Sequence, residues 1–271
     1  MIKDMLRLRK QIKQEKPLVH SITNPISIHD CANVILAAGG RPIMAEHPKE
    51  AAQITRTAKA LMLNLGNITD VRMESMEISR SVAKENGISI MLDLVGVSCS
   101  DLRLCYAETL LKGGGISILK GNMSELLMIA GQPSHSIGID AGKEDALTEE
   151  NISQITELFK ALSQETGAVL VASGKEDLIV GHDEAYVASN GVGMLSEITG
   201  TGCMLGALCT TYLSAGDPML ASLLGVTMMG VSGELAAHNS KGPGTFQLEL
   251  LNQIYGVEET ELEAKTRICR L

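Results

Sequence analysis

The order of apolar and polar positions divides this chain into short buried strands separated by longer helices. Five nearly continuous apolar runs end in polar or glycine residues, a pattern typical of parallel strands that are buried on both faces. These five predicted strands are 17–23, 60–66, 88–97, 116–121 and 168–174. Two further apolar runs, 177–181 and 184–189, are separated by a turn containing glycine and aspartate and predict a hairpin.

Helical periodicity fills most of the sequence between these strands. The predicted helices are 27–38, 48–58, 70–86, 101–112, 123–131, 149–165, 202–215, 217–238 and 244–253. The first 17 residues alternate charged and apolar positions, which favours an amphipathic helix over a secretory signal. Strand–helix alternation predicts right-handed βαβ units, and hence a mostly parallel sheet covered on both faces. We expect only helices after residue 200, and a single α/β domain spanning 1–271.

Composition and net charge argue against several classes of binding partner. The chain is 45% hydrophobic and 20% charged, as in ordinary globular proteins, and its net charge of −9 argues against nucleic acid or an anionic membrane. Only 2% of residues are aromatic, which argues against a stacking platform for bases. No run of about 18 uninterrupted apolar residues predicts a membrane span. The six cysteines form no C-x-x-C motif and indicate reduced thiols in a cytoplasmic protein.

A glycine-rich turn opens the predicted helix after the last strand. The segment ITGTGCMLGA, residues 198–207, lacks the Lys and Ser/Thr of a Walker A loop. It also stands too late in the chain, with the wrong glycine spacing, for a dinucleotide fingerprint. Its free backbone N–H groups and the helix dipole favour a phosphate or a developing oxyanion near Gly200 and Gly202. The alternative is that these glycines serve turn geometry alone.

Cys203 follows this turn and has several interpretations. A thiol at a helix N-terminus has a lowered pKa in some enzymes and acts as a nucleophile. Such a hydrolase needs a histidine at a nearby strand end, and His20 is the only candidate in the sequence. A plain cysteine within a phosphate-transfer site is equally compatible with the pattern, so the residues alone leave the role of Cys203 open.

Ligands of open α/β sheets bind beyond the carboxyl ends of the strands, and polar residues follow most of the predicted strands here. Asn122 and Glu125 lie three residues apart after one strand and supply the oxygen ligands that Mg²⁺ prefers. Glu125 in a first helical turn is also explained by the helix dipole. Asp93 ends a neighbouring apolar strand and needs a partner, and Lys120 is the nearest candidate cation for phosphate.

Two loops near the N-terminus add candidates of lower specificity. Asn24 belongs to an Asn-Pro turn, where helix capping is the plain alternative to ligand binding. Met44 lies in the tight loop GGRPIMAEHP and either lines an apolar ligand pocket or packs in the core.

Taken together, these segments resemble the hydroxyethylthiazole kinases of the ribokinase-like superfamily. The resemblance covers nearly the whole chain. It rests on HSITNPISIHDCANVILAAGGRPIMA, LNLGN, LDLVGV, KGNMSE, ITGTGCMLGAL and the late GELAA with GPGTFQ. It implies a three-layer α/β/α fold with a mostly parallel central sheet. The implied activity is Mg²⁺-dependent transfer of the γ-phosphoryl group of ATP to 4-methyl-5-(2-hydroxyethyl)thiazole, in thiamin salvage.

The resemblance also implies roles for particular residues. The thiazole would contact Met44 and Gly200 with Asn24 nearby, ATP would contact Lys120 and Ser173 with Asn122 beside them, and Asp93 and Glu125 would organise Mg²⁺. Cys203 stands where related enzymes place an aspartate as general base, next to the anion-binding turn at Gly200 and Gly202. A homotrimer is implied, with each substrate pocket completed by a neighbouring subunit.

Several positions depart from the family pattern. Lys120 replaces a more typical arginine and loses its bidentate fork, Leu94 replaces a proline, Ala172-Ser173-Gly174 replaces a Val-Thr-Gly, and Met123 replaces a small residue. No departure removes a carboxylate or the glycine turn, so we expect activity to be retained. The alternatives are a hydroxymethylpyrimidine or pyridoxal kinase, a thiol hydrolase or acyltransferase that uses Cys203, and a non-catalytic binding protein.

Overall fold

The computed structural model describes residues 1–136 and 138–271. Within these residues the chain forms nine strands and eleven α-helices. The strands are β1 Leu18–Ile22, β2 Arg41–Ile43, β3 Ala60–Asn64, β4 Ser89–Asp93, β5 Ile116–Asn122, β6 Val169–Ser173, β7 Asp177–Val180, β8 Ala185–Ala188 and β9 Ile268–Arg270. The helices are α1 Ile2–Glu15, α2 Ile28–Ala38, α3 Pro48–Thr57, α4 Asp70–Glu85, α5 Asp101–Gly113, α6 Met123–Ile129, α7 Ile152–Thr166, α8 Thr201–Leu213, α9 Pro218–Asn239, α10 Pro243–Gly256 and α11 Glu259–Lys265.

All nine strands belong to one sheet, in the order β2-β1-β3-β4-β5-β6-β7-β8-β9. Strands β1 to β6 pair in parallel, and β7, β8 and β9 continue the sheet in antiparallel pairs. The five apolar runs predicted as parallel strands are β1, β3, β4, β5 and β6, and the predicted hairpin is β7 and β8. The mostly parallel sheet predicted from the sequence is therefore confirmed.

Alternating strand residues contribute to two separate hydrophobic cores, one on each face of the sheet. In β3, Met62 packs with α1, α2 and α8 to α11, whereas Leu61 and Leu63 pack on the other face with α4 to α7. This alternation follows from the two-residue period of a strand. The result is the predicted three-layer α/β/α architecture.

Four elements were missed or misplaced by the sequence pattern, of which one is the short helix α11, Glu259–Lys265, after the last predicted helix. The expectation of helices only after residue 200 is wrong, because β9 pairs with β8 in an antiparallel ladder. This strand has only three residues and is largely exposed, so no apolar run marks it. The loop predicted around Met44 contains the edge strand β2, where Pro42 is tolerated because an edge strand leaves one side unpaired. The strand predicted over 88–97 ends at Asp93 and continues into a turn.

Helix α9 is the one described helix that is long and apolar enough to cross a bilayer. Most of it, 78% of its apolar stretch, is buried inside the molecule. Burial of this kind is typical of a central core helix, and α9 packs here against α8 and α10.

Candidate active site

The carboxyl edge of the parallel strands brings several predicted site residues together. Asn64 and Asp93 end the neighbouring strands β3 and β4 and are paired in register, and Asp93 is paired in turn with Lys120 of β5. Asn24 follows β1, and Cys203 lies in the first turn of α8. We call these five residues the polar cluster; all are buried beneath the start of α8.

Asp93 and Lys120 form an ion pair inside the protein. Lys120 Nζ lies 3.1 Å from Asp93 Oδ1. Lys120 is 4% exposed and Asp93 is 0% exposed. Burial raises the pKa of Asp93, while the Lys120 charge and the Asn64 amide act in the opposite direction. Burial alone would lower the pKa of Lys120, but the Asp93 carboxylate, together with smaller contributions from neighbouring groups such as Glu125, outweighs it and leaves the pKa of Lys120 above its ordinary value. Lys120 is therefore a cation at neutral pH while Asp93 is its partner.

The start of α8 lies directly over this cation. A Cβ atom on Gly202 would stand 3.3 Å from Lys120 Nζ, so the glycine permits this close approach. Gly200 precedes the helix with φ +87°, a conformation that favours glycine. No side chain of the described residues caps this helix start. A positive helix end next to a buried ammonium attracts an anion, which supports the predicted anion site.

Cys203 is held as a buried thiol. Its Sγ accepts hydrogen bonds from Asn24 Nδ2 and Asn64 Nδ2, both at 3.3 Å. Burial, followed by the Asp93 carboxylate, raises the pKa of Cys203, so the neutral thiol is favoured at pH 7. His20 hydrogen-bonds instead to Thr55 Oγ1 and to the Ala45 carbonyl, at 3.0 and 2.8 Å. Both ring nitrogens of His20 are thus engaged away from Cys203, which disfavours the thiol-hydrolase alternative.

Glu125 organises the backbone beside the polar cluster. Its Oε1 accepts the Gly96 N–H and its Oε2 accepts the Asn122 N–H, each at 2.7 Å. Asn122 Oδ1 accepts the Glu125 N–H in return, at 2.9 Å, which completes a capping box at the start of α6. Burial raises the pKa of Glu125 to about 7. The helix-cap interpretation of Glu125 is thus realised, and each carboxylate oxygen keeps a second lone pair for another donor or ligand.

The remaining predicted residues lie farther along the same edge of the sheet. Asn122 and Ser173 are register partners on β5 and β6. The Asn122 amide also donates to the Ile139 carbonyl at 2.9 Å, and the Ser173 hydroxyl donates to the Gly121 carbonyl at 3.3 Å. Met44 follows the edge strand β2 and packs, half-buried, against the core that contains α2 and α8. The polar cluster therefore has Met44 towards one end of the sheet and Ser173 towards the other.

Asn64, in the segment LNLGN, was not predicted as a site residue. In the structure Asn64 is fully buried and contacts Asn24, Asp93 and Cys203. A signal was present, because Asn64 is a polar residue at the end of an otherwise apolar buried strand, as Asp93 is. Ser27 was also missed; its Cβ lies 3.0 Å from where a Cβ on Gly200 would stand.

Comparison with known proteins first gives the class to which this fold belongs. The structure is similar to a ribokinase-like superfamily protein from Enterococcus faecalis V583, with a TM-score of 0.62 and 12% identity over 89% of this chain and 88% of that chain. At this low identity the similarity concerns the fold alone. The fold is ribokinase-like.

Closer similarities give the family. The structure of a hydroxyethylthiazole kinase protein from Pyrococcus horikoshii OT3 has a TM-score of 0.89 and 26% identity, covering 99% of each chain. Hydroxyethylthiazole kinase 2 of Clostridium botulinum (strain Okra / Type B1) is 48% identical over 263 residues, 97% of this chain and 99% of the relative. The model of the hydroxyethylthiazole kinase family matches residues 9–260. This chain belongs to the hydroxyethylthiazole kinase family.

Proposed function

We propose that this protein transfers the γ-phosphoryl group of ATP to the primary hydroxyl of 4-methyl-5-(2-hydroxyethyl)thiazole, in thiamin salvage. Family membership supports the reaction and the substrate. The observation that carries the chemistry is the buried Lys120 ammonium beneath the uncapped Gly-Thr-Gly start of α8. Both groups would stabilise negative charge on a migrating phosphoryl group.

The reaction needs little covalent chemistry from the protein. The alcohol oxygen forms a bond to the γ-phosphorus, the bridging P–O bond breaks and its electron pair leaves with ADP, and the alcohol proton passes to an oxygen of the transferred phosphoryl group. Lys120 and the first N–H groups of α8 would neutralise charge on the phosphoryl oxygens. Asn122 and Ser173 would lie on the ATP side of Lys120, and Met44, Asn24 and Gly200 on the thiazole side, which agrees with their order along the sheet edge.

The donor set near Lys120 fits Mg²⁺ that is held largely through water and phosphate. The described residues include no group of three or more His, Cys, Asp or Glu side chains able to hold a metal ion. Two carboxylates, Asp93 and Glu125, are near each other, and each oxygen already accepts one hydrogen bond or ion pair. Mg²⁺ commonly binds through one or two carboxylates together with substrate phosphates and waters. Its contribution would be to neutralise charge on the phosphates of ATP.

We further propose that residues 1–271 form a single domain, which assembles into a cytoplasmic homotrimer whose pockets are completed by neighbouring subunits. Ile26 supports this assembly, because it is 59% exposed and lies two positions after Asn24 at the thiazole side; Leu36, on the helix α2 that follows, is 54% exposed. Exposed apolar residues next to a site are typical of interaction surfaces. Light scattering coupled to size-exclusion chromatography tests the assembly, and the Ile26→Asp variant should shift it towards monomer.

ADP release tests the proposed reaction directly. Purified protein with ATP and Mg²⁺ should release ADP when the hydroxyethyl thiazole is added, and much less with hydroxymethylpyrimidine or pyridoxal. A Lys120→Met variant keeps an unbranched side chain of nearly the same length and loses the charge; in the Asp93→Asn background, where no buried carboxylate is left unpaired, turnover should stay about 100-fold or more below that of the wild type, the size of effect seen for charge-stabilising donors. If none of these alcohols stimulates ADP release, the proposal fails.

A further inference from the structure

Asn64 hydrogen-bonds to three other members of the polar cluster, more than any other residue in it. Its Oδ1 accepts hydrogen bonds from the Gly66 N–H at 2.9 Å and from Asn24 Nδ2 at 3.0 Å. Its Nδ2 donates to Asp93 Oδ2 at 2.9 Å and to Cys203 Sγ at 3.3 Å. This one amide therefore uses both of its N–H groups and both lone pairs of its oxygen, the full capacity of an asparagine side chain.

The orientation of both amides is determined by the groups around them. The oxygen of Asn64 must face Gly66, because a backbone N–H only donates, and its nitrogen must then face the Asp93 carboxylate, which only accepts. The oxygen of Asn24 must likewise face the backbone N–H groups of Ile26 and Ser27, both at 3.1 Å. Asn24 Nδ2 is left to donate to Asn64 Oδ1 and to Cys203.

This arrangement determines what the thiol of Cys203 can do. Its sulfur receives one N–H from each of two amides, so both of its lone pairs are engaged. The thiol hydrogen is the remaining polar group, and it must point away from Asn24 and Asn64. Ser27 lies beside Cys203, and 7% of Cys203 remains exposed.

We propose that Asn64 is a positioning residue of this kinase: together with Asn24 it holds the Cys203 sulfur as an acceptor, so that Cys203 meets the substrate as a hydrogen-bond donor and not as a proton-accepting base. The same amide fixes Asp93 relative to this thiol. The inference rests on the function proposed above and deepens it by assigning how Cys203 takes part.

The first test needs no activity and observes the thiol itself. The S–H stretching band of Cys203 is isolated by subtracting the infrared spectrum of Cys203→Ala from that of the wild-type protein, without ATP or Mg²⁺. An Asn64→Leu variant removes both amide donors of Asn64 and should shift this band. A Cys203 band that is identical in wild type and Asn64→Leu would overturn the proposal, even if the wild-type protein phosphorylates a different alcohol or none.

The second test is a double-mutant cycle on turnover. Asn64→Leu should reduce kcat about tenfold or more while changing KM for the thiazole less than about threefold, the signature of an interaction made in the transition state. In the Cys203→Ala background, the factor by which Asn64→Leu reduces kcat should be at least about threefold smaller than in the wild-type background, because the effects of coupled residues are not additive. An equal reduction of kcat in both backgrounds would show that Asn64 does not act through Cys203.

A matched control separates positioning from stability. Asn190 is also a buried asparagine with several partners, since it accepts the Arg267 N–H and donates to Glu234 and to the Lys265 carbonyl. Asn190→Leu should lower the melting temperature but leave kcat and the Cys203 band unchanged. If Asn64→Leu does not fold, the smaller Asn64→Ala replaces it in both tests, because it also removes the donor to Cys203 and leaves room for water beside the Gly66 N–H and Asp93.

Discussion

Replacing Asp93 with asparagine should destabilise the protein and inactivate it, for one electrostatic reason. The substitution keeps the shape of the side chain and removes its charge. Lys120 then remains a buried ammonium, 4% exposed, without the carboxylate that now lies 3.1 Å from it. A cation in this position either loses its proton or draws water into the core, and both reduce the free energy of unfolding.

The size of the effect follows from the geometry. Two unit charges at the 3.1 Å separation attract by about 5 kcal/mol at an effective dielectric constant of about 20. Removing one partner of a buried ion pair costs about 3–5 kcal/mol in measured cases. Since domains are commonly stable by only about 5–15 kcal/mol, Asp93→Asn should remove a large share of the total.

A double variant distinguishes this explanation from general disruption of the site. Lys120→Met added to Asp93→Asn removes the stranded charge, so the double variant should recover most of the lost stability while remaining inactive. Equilibrium urea denaturation followed by far-ultraviolet circular dichroism measures the stability, because the chain has no tryptophan to report by fluorescence. ADP release measures the activity of the same samples.

Two results would refute this reasoning. One is a decrease in the free energy of unfolding of less than about 1 kcal/mol for Asp93→Asn. A decrease of this size is typical of exposed ion pairs and would mean that Lys120 reaches solvent. The other is a double variant no more stable than Asp93→Asn alone, because the cost would then come from the altered Asp93 site and not from an unpaired Lys120.

Three further predictions concern other residues of the site. Burial raises the pKa of Glu125 from the ordinary 4.5 to about 7, so the protonated Glu125 contributes stability at low pH that is lost as pH rises through about 7. Denaturation at several pH values should therefore show a smaller fall in the free energy of unfolding over this pH range for Glu125→Gln than for the wild type. Gly200→Ala should lower stability by about 1–3 kcal/mol because of its φ of +87° and the contact with Ser27, and should raise KM for the thiazole. Cys203→Ala should reduce turnover without abolishing it.

Each of these predictions has its own contrary outcome. An identical pH dependence in Glu125→Gln and wild type would mean that the Glu125 carboxyl titrates near its ordinary pKa. Unchanged stability of Gly200→Ala, measured by thermal melting, would mean that the turn before α8 relaxes freely. Complete loss of ADP release by a folded Cys203→Ala protein would contradict a supporting role for the thiol.

Much of the fold could be predicted because long apolar runs are local signals. The strands buried on both faces, β1, β3, β4, β5 and β6, are continuous in the sequence and were all predicted. The three-residue strands β2 and β9 lie at the two edges of the sheet and have no comparable run. These residues form strands only because a neighbouring strand pairs with them, and a local sequence pattern does not show this pairing.

The sequence pattern predicted which residues lie at the ends of the strands, but not all of the contacts that these residues make with one another. Polar residues after buried strands predicted the positions of Asp93, Lys120 and Cys203, which the structure places in one cluster. The roles assigned to them by resemblance stay predictions. Asn64 received no role, because only the folded chain shows that one amide reaches both the carboxylate and the thiol.

The sequence by itself therefore determined the layers of this protein, the direction of its central strands and the edge at which its polar residues emerge. These follow from periodicity and from the single carboxyl edge that parallel strands share. The tertiary structure alone decided that Lys120 pairs with Asp93, that Glu125 accepts the Gly96 N–H, and that Cys203 is a buried thiol between two amides. Such pairings depend on distances between residues far apart in the chain, up to the 179 positions that separate Asn24 from Cys203.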